Sequence, residues 1–265
     1  MESDLTRHQL NFDLKYQKQG EFIKDISDLN RITGGSEMLT LYLHNSVKGR
    51  ILKNMKLRKG IKVLDAGCGR GFFLQKLVKF YNKKMELYGL DISNVVIRNA
   101  KLNLPTVRFI VSSIEKTPFN NEFFDCVVCS EVLEHVYNPC DAIREIARIT
   151  KKEGQIIFTT PNFHSILFRG FRLLEMLNLS RFFSKKGLTE KDEEIPLEDL
   201  IFLAKKNGLI IDKIDYISPL LIDYTMLNIL PSLVLKMLIK LSISLESFQF
   251  QKSMCNQLNL YLTKK

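Results

Sequence analysis

The segment Lys62-Val63-Leu64-Asp65-Ala66-Gly67-Cys68-Gly69-Arg70-Gly71 limits the fold of this chain more than any other. An apolar run that ends in a carboxylate and passes straight into alternate glycines reads as a buried strand, a tight loop and the start of a helix. Glycine belongs in such a loop because a ligand approaches the backbone closely, and a Cβ at Gly67 or Gly69 is expected to fill that space. The spacing also restricts the ligand. A dinucleotide fingerprint reads G-x-G-x-x-G, whereas counting from Gly67 the sixth residue is Phe72 and the third glycine, Gly71, comes one position early. The loop suits a nucleotide-type cofactor and argues against NAD.

The residues that follow repeat the strand-then-helix pattern. Leu87–Asp91 predicts a second strand with a carboxylate at its end, and Ser93-Asn94 supplies a helix cap. Asp91 at a strand's C-terminal end is a candidate ribose clamp, since an ionised carboxylate accepts from two vicinal hydroxyls; a surface helix cap is the simpler alternative. Val107–Val111 predicts a third strand, and Phe123–Ser130 a fourth that runs into Glu131-Val132-Leu133-Glu134-His135. Pro139–Ile149 reads as a helix and Gly154–Asn162 as a fifth strand. Pro196–Lys206 is expected to be helical, with strands over Leu209–Ile217 and Leu258–Thr263. Strands alternating with helices imply a parallel sheet covered on both faces, the α/β doubly wound class.

The D-x-G-x-G-x-G loop of Asp65, Gly67, Gly69 and Gly71 resembles motif I of the class I S-adenosylmethionine-dependent methyltransferases. The run from Phe124 to Val136, F-D-x-V-x-x-x-E-x-L-E-H-V, with the later Thr160-Pro161-Asn162, is similar to the group that includes the ubiquinone-biosynthesis O-methyltransferases. The resemblance covers roughly Lys62 to Asn162. It implies a mostly parallel seven-stranded Rossmann-like sheet with an antiparallel last strand, and S-adenosyl-L-methionine as cofactor. Carried onto this chain, the cofactor contacts are Asp65, Ala66, Gly67, Cys68, Gly69, Asp91, Ile92, Ser113, Ile114 and Ser130. Arg50, upstream of motif I, is placed where related chains supply a cation for the cofactor carboxylate, although a solvated arginine is an equal reading. Ser113 stands where the family usually has an acid near the adenine amino group. His135 is the candidate general base if the acceptor is a hydroxyl, against a purely structural role. Glu131, Glu134 and His135 form E-x-x-E-H, associated in the related enzymes with a divalent ion, which helical spacing would permit; solvated residues at a helix start are the simpler reading, and no metal ligand is assigned.

The whole chain, 1–265, reads as one domain: a helical N-terminal cap (1–60), the cofactor-binding core (61–162), an amphipathic lid insertion (163–195), a return to the core (196–218), an apolar helical insertion (219–250) and the last strand (251–265). In the cap, Tyr42, Leu43, Val47, Ile51, Leu52 and Met55 fall at helical spacing. Five scattered cysteines and the absence of a secretory signal pattern in Met1–Asn30 point to a reducing, cytoplasmic setting. Cys126 and Cys129 form C-x-x-C, but three residues apart on a strand they face opposite ways, so neither zinc nor redox chemistry is expected.

The insertions bear on the acceptor. Ser165–Lys186 sets Phe168, Phe171, Leu174 and Phe182 against Arg169, Arg172 and Arg181, a basic amphipathic pattern that suits either a lid over the acceptor pocket or a membrane interface. Pro219–Phe250 is richer in Leu and Ile, but its uncharged run, Tyr224–Leu235, is short of the roughly 20 residues a span needs. A net charge of +10 is spread along the chain with no basic-aromatic module, so nucleic acid is not the expected partner. The expected partner is a small-molecule or lipid-like methyl acceptor, with peripheral membrane contact. The reaction expected is methyl transfer to oxygen; carbon methylation of a quinone-like ring is the alternative, and a non-catalytic cofactor-binding scaffold or a nicotinamide oxidoreductase stands outside the class.

Overall fold

The computed structural model describes residues 9–14, 47–81, 85–162, 164–165, 169, 195–217, 234, 237, 241, 255 and 257–265. Both insertions fall almost wholly outside these, as do Tyr42 and Leu43 of the expected cap.

The described strands are β1 (Lys62–Ala66), β2 (Glu86–Asp91), β3 (Arg108–Val111), β4 (Phe124–Ser130), β5 (Thr150–Pro161), β6 (Leu209–Ile217) and β7 (Gln257–Lys264). They form a single sheet in the order β3-β2-β1-β4-β5-β7-β6. β1 to β5 pair in parallel, and β7 runs antiparallel between β5 and β6. The chain order reverses between β1 and β4, and in open parallel sheets the crevice at such a reversal is where ligands bind.

Helices cover both faces because the central strands are apolar on both sides. In β4, Cys126 and Val128 join one core with Val63, Leu74, Ile97 and Ile157. Val127 and Cys129 join the other with Leu64, Ile143, Phe158 and Leu260. Cys126 and Cys129 thus sit on opposite faces, and burial raises both thiols, Cys126 to about 12. Neither is a thiolate at neutral pH.

Local signals set the helix starts. Helices α1 (9–14) and α2 (47–54) lie upstream of the sheet, and α2 buries Val47 and Ile51, with Met55 just beyond its end. Helix α3 (Phe72–Phe80) follows Gly71, whose left-handed backbone (φ 81) ends the glycine loop. Helix α4 (Asn94–Asn103) is capped by Ser93, whose hydroxyl accepts from the Val96 N–H. Helix α5 (Pro139–Ile149) is capped by Asn138, with proline in the first turn, where its missing N–H costs nothing. Helix α6 (Leu197–Lys206) begins after Pro196. The sequence-derived strand limits differ most at β5, which begins at Thr150 because Phe124 of β4 pairs with it across a bulge.

Candidate active site

The glycine loop after β1 is pinned to β2. The Leu90 carbonyl accepts from the Gly67 N–H (2.7 Å) and the Cys68 N–H (2.9 Å). The Asp91 carboxylate accepts from the Gly69 N–H (2.8 Å) and the Ser93 N–H (2.9 Å), one bond to each oxygen. The Ile92 N–H adds a third backbone contact; since a carboxylate offers about four lone-pair sites, Asp91 holds the loop and retains some acceptor capacity. It is buried; burial raises its pKa and the backbone bonds work against that rise.

The glycines serve different needs. A Cβ on Gly69 (φ 52) would meet nothing within 4 Å, so this position does open onto free space. A Cβ on Gly67 (φ 80) would instead lie 2.2 Å from Val132 Cγ2. At Gly67, which lines the cleft, a side chain is excluded by packing against Val132 and by the left-handed backbone.

A cleft open to solvent lies beside this loop and is lined by Gly67, Asp91, Ile92, Ser113, Ile114, Glu115, Glu131, Val132 and His135 among others. Phe12 of α1 also lines it, its ring edge-on to His135 at 6.4 Å. Asp13 accepts from the Ser93 hydroxyl and from the Val95 N–H at 3.3 Å, which fastens α1 across the start of α4.

Of the expected cofactor contacts, Gly67, Asp91, Ile92, Ser113 and Ile114 line the cleft. Asp65, Ala66, Cys68 and Gly69 belong to the strand end and loop beside it. Ser113 brings an unforeseen acid with it: its hydroxyl donates to Glu115 Oε2 at 2.7 Å, and Glu115 also accepts from the Asn138 N–H at 2.6 Å. The loop therefore carries a carboxylate at its rim, two residues beyond the position where the family pattern is read.

Arg50 does not line the cleft; its carbonyl accepts from the Asn54 amide and the Tyr261 hydroxyl. Lys48 does not line the cleft either, but its ammonium donates to the Ser130 hydroxyl at the end of β4. Burial lowers the Lys48 pKa, while Asp65, Glu131 and Glu134 pull it back up. Asp65 is pushed up to about 6 by burial, against the pull of Lys48. The signal for Lys48 lies in the helical wheel. At 3.6 residues per turn, Lys48 falls about 60° from the buried Ile51 and Arg50 about 100° away on the other side.

The Glu131–His135 segment is not one helical face. Glu131 sits in the left-handed region (φ 57), and only Leu133–His135 form a short 3-10 turn. Glu131 accepts from Thr159 Oγ1 (3.1 Å) and from the Gln257 amide, whereas Glu134 is 2% exposed. Among the described residues no three His, Cys, Asp or Glu side chains converge as a metal site. The expectation that helical spacing gathers the three is thus corrected: a left-handed residue breaks the spacing. His135 faces the cleft.

A seven-stranded sheet of this order, with a glycine loop and a strand-end carboxylate at the reversal point, defines the class I methyltransferase architecture. Residues 57–211 match the methyltransferase domain family, and the chain belongs to it. It is 29% identical over 198 residues to a ubiquinone biosynthesis O-methyltransferase of Hydrogenovibrio crunogenus, covering 71% of this chain and 79% of that protein. It is 38% identical over 145 residues to an uncharacterized protein of Methanocaldococcus jannaschii, covering 55% and 58%. Several such relatives are matched over only 39% to 58% of their length. The fold is similar to that of geranyl diphosphate C-methyltransferase from Streptomyces coelicolor (TM-score 0.63, 13% identity, 97% of this chain and 98% of that one).

The cleft fits S-adenosylmethionine, the cofactor of this class. Asp91 lines the cleft at the end of β2, Gly69 leaves open space, and Lys48 puts a cation against Ser130.

Proposed function

We propose that this protein transfers a methyl group from S-adenosylmethionine to an oxygen of a small, largely apolar or lipid-like acceptor. The observation that carries the reading is the placing of His135 and Asp91 on the walls of one cleft, an imidazole beside a ribose-type clamp. The bound cofactor supplies a sulfonium-activated methyl group. What the chain must add is alignment, exclusion of water and, for a hydroxyl acceptor, removal of a proton.

In this reading Asp91 accepts from both ribose hydroxyls while Gly69 and Ser93 fix its orientation. Lys48 meets the cofactor carboxylate, and the Asp65 carboxylate beneath it keeps the cation in place. Ser113, Ile114 and Glu115 hold the adenine end. Phe12 sets its ring edge-on to His135 in the cleft, and His135 takes the acceptor proton. An imidazole suits that task because its ordinary pKa is near 6.5.

An apolar acceptor agrees with the exposed Val234, Met237 and Leu241, which fall three and four residues apart in helical backbone. No helix among the described residues is long and apolar enough to cross a membrane.

The test combines His135→Ala with methyl-labelled S-adenosylmethionine and a lipid extract as acceptor source. Label transfer is expected to fall about 10²- to 10⁴-fold while cofactor affinity, read by calorimetry, stays within a factor of about three. Full transfer by His135→Ala would remove the base assignment.

A further inference from the structure

One row of polar side chains crosses the sheet beyond the cofactor cleft. Ser130 of β4 pairs with Thr159 of β5, Thr159 with Asn259 of β7, and Asn259 with Asp215 of β6. Residues paired across neighbouring strands point to the same face, about 5 Å apart. The Ser130 and Thr159 hydroxyls accordingly touch at 2.8 Å.

The two ends of the row differ. At the cleft end every group has a partner: Lys48 donates to Ser130, and Thr159 donates to Glu131. At the far end Asn259 is fully buried, and neither its Oδ1 nor Asp215 Oδ2, both shielded from solvent, has a hydrogen-bond partner among the described residues. Asp215 Oδ1 alone is engaged, by Lys213 Nζ at 2.9 Å.

The orientation of Asn259 is set by its neighbours. The Tyr261 hydroxyl donates to the Arg50 carbonyl (3.3 Å), so toward Asn259 it acts as acceptor, and the Asn259 amide nitrogen points to it at 3.4 Å. Oδ1 is left on the other side, toward Gln257. Because β7 is antiparallel, Gln257 lies at the C-terminal ends of the parallel strands, and its amide reaches Glu131 on the cleft wall. Asn259 does not itself line the cleft; it stands two residues along β7 from Gln257, which reaches the cleft wall.

Two buried acceptors at paired strand positions that find no donor among the described residues are costly in a native fold and call for one. We propose that Asn259 and Asp215 form the subsite that reads a hydrogen-bond donor, an O–H or N–H group, on the methyl acceptor. This rests on the transferase reading above and makes the acceptor amphiphilic, an apolar body with one donor end. Asn259 and Asp215 hold the donor end, and the atom to be methylated lies toward His135.

The experiment uses the full chain, methyl-labelled S-adenosylmethionine and a total small-molecule and lipid extract of the source cells. Asn259→Leu keeps the side chain's size and removes the acceptor; Asn259→Asp keeps an acceptor oxygen. With cofactor affinity and melting temperature held as controls, Asn259→Leu is expected to lower labelling at limiting extract by about ten- to hundredfold. Saturating extract should restore part of the rate, and Asn259→Asp should retain most of the labelling. Asp215→Asn separates the donor chemistries: an ammonium-bearing acceptor loses labelling with the charge, while a hydroxyl-bearing acceptor keeps it. If Asn259→Leu labels as well as the parent chain, the subsite is refuted and the transferase reading stands. If the parent chain labels nothing, the transferase reading fails and the subsite falls with it.

Discussion

Replacing Asp91 by Ala tests two jobs of one carboxylate. In the free protein it removes the acceptor for the Gly69 and Ser93 N–H groups. A buried donor left unpaired costs about 1–3 kcal/mol, so the two together are expected to lower stability by roughly 2–6 kcal/mol. That is a large share of the about 5–15 kcal/mol a domain has, and it is read from the urea midpoint. In the complex the same change removes two hydrogen bonds from ribose to a charged acceptor, each worth about 1.5–3 kcal/mol. Affinity for S-adenosylmethionine is then expected to fall by about two to four orders of magnitude, measured by calorimetry at a temperature where circular dichroism shows the variant folded. Asp91→Asn should also fail, because its NH2 faces one of the two backbone N–H groups. A folded Asp91→Ala chain that binds the cofactor within about threefold of the parent would refute the ribose assignment, whatever its stability.

Three further outcomes are expected. Lys48→Met should weaken S-adenosylmethionine binding by about ten- to hundredfold but leave 5′-methylthioadenosine, which lacks the carboxylate, nearly unchanged, whereas Arg50→Met should do neither; equal losses for both ligands would remove the carboxylate role. Asp65 has a folded pKa of about 6 against an ordinary 3.8, so its contribution is complete below about pH 4 and is lost as pH rises to about 6; Asp65→Asn should remove that falling limb, about 3 kcal/mol, from urea midpoints measured across pH. Gly67→Ala combines a left-handed backbone with a Cβ 2.2 Å from Val132 and should lower the melting temperature markedly; adding Val132→Ala should recover the clash and not the backbone cost, and full recovery would show that φ at Gly67 carries no penalty.

The sheet was legible because each core strand announces itself twice, by an apolar run and by a polar or glycine residue at its end. Asp65, Asp91 and Ser130 mark three such ends; Asp65 and Ser130 flank the point where the chain order reverses, and Asp91 is on the next strand. Lys48 was harder to read because two basic residues share α2 and the sequence does not say which faces the site until Ile51 is known to be buried. Glu115 escaped because a loop brings it back onto Ser113, a contact no periodicity encodes. The E-x-x-E-H spacing misled for a related reason: Glu131 adopts a positive φ at the end of β4, and a helical count across it does not hold. Asn259 and Asp215 lie 44 residues apart in sequence and become neighbours only through the antiparallel β6–β7 pairing.

The most direct test of the account is transfer of a labelled methyl group from S-adenosylmethionine by the parent chain into a lipid extract, with mass spectrometry of the product. The expected product is one methylene heavier than its precursor and carries the label on oxygen as a methyl ether or ester. Label on a ring carbon would contradict oxygen transfer, and no S-adenosylmethionine-dependent label in any product would contradict the account at its centre.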